Sequence, residues 1–140
     1  MPNREHSPGR ERTLALQRRS FEQTCNVICA YPKTRPLDDP SRDTWRQLVR
    51  AVNSHTFNLE EADAASSDAD FLSKMRIALR EAKEAHVAIR IIVRCRLEGY
   101  AEVGRYQDEA DQLARIFFTI VKNKAANMEA KRNSMPTGDD

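Results

Sequence analysis

Glycine is scarce in this sequence, with four residues among 140. Phosphate-cradling loops are built on closely spaced glycines, so a nucleotide-binding fingerprint is excluded. A Gly-x-Ser-x-Gly nucleophile turn is absent as well. Proline is missing from the whole stretch between Ser41 and Met135. An interior proline costs a helix about 3 kcal/mol and a glycine about 1, so this shortage permits long helices. β-branched residues never alternate with polar ones over a strand's length, which removes the signal for a sheet. No apolar run is long enough to cross a bilayer. Nothing apolar follows the polar start Met1-Pro2-Asn3-Arg4-Glu5-His6, so no secretory leader is expected. Three cysteines, an odd number, then predict reduced thiols and a cytoplasmic location. Charge of one sign is also lacking: 23 Lys and Arg balance 21 Asp and Glu, for a net charge of +2. With 40% hydrophobic residues and cancelling charge, the bulk of the chain should fold.

What is present reads as all-α. Pro8-Gly9, the segment Tyr31 to Pro40, the stretch Ser66 to Asp70, Gly99 and Pro136 are the breaks. They predict helices over about 10–30, 41–64, 68–98 and 102–126, with polar tails at 1–9 and 128–140. Ser41 or Asp39 is the expected N-cap of the second helix. Ser67, followed by Asp70, resembles a capping box opening the third, and Gly99 is its expected C-cap.

Apolar residues recur at steps of three and four. Helix 3 carries Leu72, Met75, Leu79, Ala82, His86, Ile89 and Val93, with Phe71, Ala78, Ala85 and Ile92 beside them. The second helix carries Trp45, Leu48, Val52, His55, Leu59 and Ala62. The fourth carries Tyr106, Ala110, Leu113, Phe117 and Ile120. The first has the weaker series Leu14, Phe21, Cys25 and Ile28, interrupted near Arg18. Four one-sided helices joined mostly by short loops predict an antiparallel up-down-up-down four-helix bundle. On the same counting Phe57, Ile77, Ile91 and Phe118 point outward. Four large apolar residues on the outside of a small bundle predict self-association.

Sequence motifs for catalysis are missing, and the chain reads as non-enzymatic. A di-metal carboxylate bundle needs Glu-x-x-His, which does not occur. His55 and His86 are read first as core-edge histidines; a metal site with Glu60 or Glu61 is the lesser reading. Cys25 and Cys29 lie one turn apart without the second ligand pair that structural zinc requires, and Cys95 is alone. No cofactor or metal is therefore expected. Arg76, Arg80, Lys83, Arg90 and Arg94 share one face of helix 3, and Arg42, Arg46 and Arg50 one face of helix 2. Such stripes suit phosphate tracking on RNA or DNA. Intrahelical pairs such as Arg80 with Glu84 offer the competing reading of a solvated face.

The run Arg50 to Ala62 resembles a signature of the four-helix-bundle proteins encoded in intervening sequences of bacterial large-subunit ribosomal RNA genes. The matching residues are Asn58, Leu59 and Glu61, then Ser67, Asp70, Phe71 and Leu72, then Ile77-Ala78-Leu79 with a downstream Glu. The likeness spans about residues 45–123; Tyr31-Pro32 fits it loosely, and Ala62 replaces the family's usual glycine. The resemblance implies a bundle that assembles as a ring, typically a homopentamer, without established catalysis. A related branch, the accessory protein of diversity-generating retroelements, is strongly basic and binds a reverse transcriptase and nucleic acid. The near-neutral charge here departs from that branch. The expected role is thus a scaffold or adaptor. Its partner is itself, with nucleic acid or a nucleic-acid-processing protein as the alternative, and no membrane. Asn58 and Glu61 are expected to form a structural polar network where helix 2 meets helix 3.

Overall fold

The computed structural model describes residues 7–136, so the parts of the expected tails at 1–6 and 137–140 lie outside the described residues. Every regular element among the described residues is helical: α1 (Pro8–Ala30), α2 (Asp39–Asp63), α3 (Asp68–Arg94), the short α4 (Tyr100–Val103) and α5 (Gln107–Ser134). A 3-10 turn over Gly104–Tyr106 joins α4 to α5. Cross-helix contacts run in opposite sequence directions. Arg10 meets Asp63 while Thr24 meets Val52; Gln47 meets Glu84 while Lys74 meets Glu61. Lys83 meets Phe118 while Phe71 meets Lys124. The four long helices therefore form an antiparallel bundle. α2 packs on α1 and α3, and α3 packs on α5, whereas α1 and α5 touch only thinly. α1 and α3 thus occupy diagonal corners.

Capping chemistry sets the helix starts. Ser7 Oγ accepts from the Arg10 amide at 3.1 Å, and Ser67 Oγ from the Asp70 amide at 3.1 Å. The cap of α2 is Asp38, whose Oδ1 accepts from the Ser41 amide at 2.8 Å, rather than Asp39 or Ser41. Pro40 sits within the first turn, where its missing N–H is no loss and its fixed φ suits a helix. The 31–40 connector is shorter than expected for that reason.

The end of α3 also differs from expectation. The helix stops at Arg94, and Arg96 rather than Gly99 supplies the left-handed residue, with φ 52°. The Leu97 amide reaches back to the Ile92 carbonyl at 2.9 Å and the Arg96 amide to Val93 at 3.3 Å, which is a Schellman closure. A non-glycine residue there costs about 1–2 kcal/mol. Replacing the exposed Arg96 by glycine is expected to stabilise the fold by about 1 kcal/mol, read as a higher urea midpoint. Gly99, at φ 78°, opens α4 instead. α5 continues to Ser134, past the end expected near 126. Alanines and lysines carry it on without a breaker, and Lys124 and Lys131 reach Asp68 of α3 at 2.7 and 3.7 Å.

The core has two centres. One gathers Trp45, Leu48 and Val52 of α2, Val27 of α1, and Ile89 and Ile92 of α3. The other gathers Leu59, Met75, Ala78, Ala82, Leu113 and Phe117. The α2 series is buried throughout. In α3 the burial is centred towards Ala78, Ala85 and Ile92, leaving Leu79, His86 and Val93 half-buried.

Candidate interaction surface

α1 lies rotated from the orientation expected of it. Leu14, Phe21 and Ile28, read from sequence as its core face, are 37%, 54% and 36% exposed. The residues it buries are Gln17, Ser20, Gln23, Thr24 and Val27. Hydrogen bonding with α2 explains the inversion. His55 is 1% exposed, with Nδ1 2.8 Å from Ser20 Oγ and its ring edge-on to Phe117. Ser20 Oγ and Thr24 Oγ1 each lie 2.8 Å from Thr56 Oγ1, and Thr24 also donates to the Val52 carbonyl at 2.8 Å. Gln23 Nε2 donates to the Tyr106 carbonyl at 3.0 Å. Turning the apolar stripe inward would strip His55 and Thr56 of these partners, and a buried unpaired polar group costs about 1–3 kcal/mol. Ion pairs clamp the rims: Arg10 with Asp63 at 2.6 Å, and Arg19 with Glu109. The Arg10 guanidinium holds the Asp63 carboxyl below its ordinary value.

Sequence reasoning missed this stripe because α1 carries two series of helical spacing. Ser20, Thr24 and Val27 step by four and three, as Phe21, Cys25 and Ile28 do. The usable signal was the pairing of small hydroxyls on α1 with His55 and Thr56 on α2.

The residues expected to point outward lie on three helices. Phe57 is 63% exposed, on a different helix from Ile91 (43%) and Phe118 (50%). Ile77 is half-buried. Val87, which sequence reasoning passed over, is 46% exposed and lies one turn before Ile91. Val87 lines a pocket with Arg90, Ile91, Arg94 and Gln107, and also two grooves between neighbouring helices. One, between α2 and α3, measures about 450 Å³ and includes Thr44, Gln47, Ala88 and Ile91. The other, between α3 and α5, measures about 520 Å³ and includes His86, Ala114 and Phe118.

Around that ridge stand the expected basic residues. Arg76, Arg80, Lys83, Arg90 and Arg94 are all exposed on α3. Arg80 contacts its neighbour Glu81 at 3.6 Å instead of Glu84, which accepts from Gln47 Nε2 at 2.9 Å. Burial pushes the Glu81 carboxyl above its ordinary value, and adjacent Glu84 adds to the shift. Lys83 Nζ lies 5.8 Å from the Phe118 ring centroid. Among the described residues, Arg76, Arg90 and Arg94 have no ion-pair partner. On α2, Arg42 pairs with Asp39, and Arg46 and Arg50 are exposed.

The remaining candidates fall apart spatially. His55 belongs to the α1–α2 layer and His86 lines the α3–α5 groove. Among the described residues no group of three His, Cys, Asp or Glu side chains is arranged to hold a metal. Cys25, Cys29 and Cys95 are free thiols, the last two exposed. Glu61 pairs with Lys74 of α3 at 3.0 Å, while Asn58 Nδ2 donates within α2 to the Ser54 carbonyl at 2.9 Å. No helix among the described residues is long and apolar enough to cross a membrane.

No protein-family model matches this sequence, and no curated protein matches it. One similar solved structure is a protein of unknown function from the S23 ribosomal protein family of Bacteroides thetaiotaomicron. The two share 21% sequence identity and a TM-score of 0.63, over 76% of this chain and 98% of the other. That likeness shows the fold: an all-helical bundle shared with a protein whose own function is unknown.

Proposed function

We propose that this chain is a non-enzymatic, cytoplasmic bundle protein that assembles with copies of itself, as a homopentameric ring, and serves as a scaffold or adaptor. The observation that carries self-assembly is α1. It presents Leu14, Phe21 and Ile28 to solvent at intervals of seven, a seam such as one helix offers another. Burying a side chain of that size contributes roughly 1.5–3 kcal/mol, so a shared seam repeated around a ring supplies a substantial driving force. The ring and its five copies rest on the resemblance to the intervening-sequence proteins; the neighbour from the S23 ribosomal protein family supports the bundle.

Phe21→Glu tests the reading. The residue is outward, so the variant should keep its helical circular dichroism while the assembled species dissociates. Mass photometry or sedimentation of the wild-type chain showing a single-chain mass of 16.0 kDa alone would refute self-assembly. A second reading is nucleic-acid binding by the stripe Arg76, Arg80, Lys83, Arg90 and Arg94, favoured by the exposure of all five. Binding of that kind falls steeply with salt.

A further inference from the structure

The outer face of α3 combines two features that phosphate tracking does not require together. Val87 and Ile91 form an apolar ridge one turn apart, with a groove on either side. Phe118 closes the α3–α5 groove and stands half exposed. Arg90 and Arg94 flank the ridge on one side of α3, and Lys83 lies one turn before Val87. Of the acids that line the two grooves, Glu84 accepts from Gln47 and Asp111 pairs with Arg115 at 3.1 Å, while Asp43 stands exposed on the α2 side. The outer face of α3 is thus apolar at its centre and cationic on its own side of the rim, with Asp43 across the α2–α3 groove. A phosphate backbone would use the rim and leave Val87 and Ile91 against solvent or sugar. An amphipathic helix uses both parts, with aliphatic anchors in the grooves and acids over the arginines.

A second copy of this chain fits poorly. Two α3 faces set together would oppose arginine to arginine. The apolar stripe of α1 carries Arg18 between Leu14 and Phe21 with Glu11 and Glu22 beside it, so its charge is mixed and matches a cationic rim less well than an acidic helix does. Like charges placed face to face across an interface cost affinity. From this complementarity we infer that the Val87–Ile91–Phe118 face is a docking site for an acidic amphipathic helix of a different protein. The inference rests on the adaptor reading and names the class of its partner. The helix lays leucine-type anchors on either side of the Val87–Ile91 ridge, and its carboxylates pair with Lys83, Arg90 and Arg94.

The test uses the full chain and a fluorescein-labelled synthetic helix with leucine anchors and glutamate flanks, followed by anisotropy. A matched helix with lysine flanks is the control. The acidic helix should bind and the lysine helix should not. V87S/I91S, which removes anchors without touching charge, should weaken binding ~tenfold or more, and R90Q/R94Q should do the same while flattening the salt dependence. All four positions are partly or fully exposed, so circular dichroism should show both variants folded. Phe21→Glu should retain peptide binding, which separates failure of this site from failure of self-assembly. Equal binding of the two helices would overturn the inference. So would a structured RNA that displaces the peptide and binds V87S/I91S as well as wild type. A change in assembled mass on V87S/I91S would also overturn it, since the face would then be covered by another copy.

Discussion

Trp45→Ala is expected to cost about 3–5 kcal/mol, a large share of the stability of a domain this size. Trp45 is fully buried, and it is the single tryptophan of the chain. Its ring meets Tyr31 edge-on at 5.5 Å and 84°, and its Nε1 donates to the Glu98 carbonyl at 2.6 Å. The same end is held by the Glu98 amide, which donates to Ser41 Oγ at 3.2 Å. One side chain thus joins the connector after α1, the start of α2 and the turn after α3. Gly99 permits that closeness. A Cβ there would fall 2.8 Å from Trp45 Cζ2 and 3.0 Å from Pro32 Cγ, at a φ that disfavours side chains. Gly99→Ala is therefore expected to cost about 2–4 kcal/mol, from backbone strain together with overpacking. Trp45→Phe keeps most of the burial but orphans the Glu98 carbonyl, at about 1–3 kcal/mol. Urea unfolding measures all three. A Trp45→Ala loss below about 1 kcal/mol would show that this end is not locked by the ring.

Acid should weaken the protein in a window set by His55. Burial lowers its pKa from 6.5 to about 4. The native imidazole stays neutral in its Ser20 and Phe117 surroundings, while the unfolded chain takes up a proton below 6.5. The unfolded state therefore binds more protons between those values, and stability rises with pH across the window. The contribution is whole above about 6.5 and falls as pH drops, by about 2 kcal/mol near pH 5 and about 3 near pH 4. Asp63 and Asp68, both held low by basic partners, lose their contributions only in more acidic solution, so the two effects separate. His55→Gln keeps a polar side chain that does not titrate. Its urea midpoint should be lower at neutral pH, yet nearly the same at about pH 7 and about pH 5. A wild-type midpoint equally flat over that range would contradict the buried, neutral histidine. Protonation would act first on the α1–α2 layer, because that is where His55 finds its hydrogen bonds.

Much of the bundle is legible without coordinates. The α2 series Trp45, Leu48, Val52, His55, Leu59 and Ala62 is wholly buried, as its spacing implies. Ser67 caps α3 as expected, and the exposed arginines of α3 share the face that counting assigns them. The α3 terminus was harder to see. Gly99 looks like a C-cap, yet the chain makes its left-handed turn three residues earlier at Arg96, where the Leu97 amide reaches Ile92. The close approach to Trp45 then reserves Gly99 for a different duty.

The candidate surface divides along the same line. Ile91, Phe118 and the basic residues could be placed from periodicity, because α3 and α5 each have one dominant apolar stripe. Val87 falls between Lys83 and Arg90 in the basic series, a lone apolar residue among charges, so only the grooves beside it bring it in. For α1 periodicity was insufficient. Repeating apolar residues and missing breakers determine, unaided, that the chain makes four long antiparallel helices and which faces of α2, α3 and α5 turn inward. Which way α1 turns was decided in three dimensions: hydroxyls of Ser20 and Thr24 satisfy His55 and Thr56, and that requirement, borne by another helix, outweighs the burial of Leu14, Phe21 and Ile28.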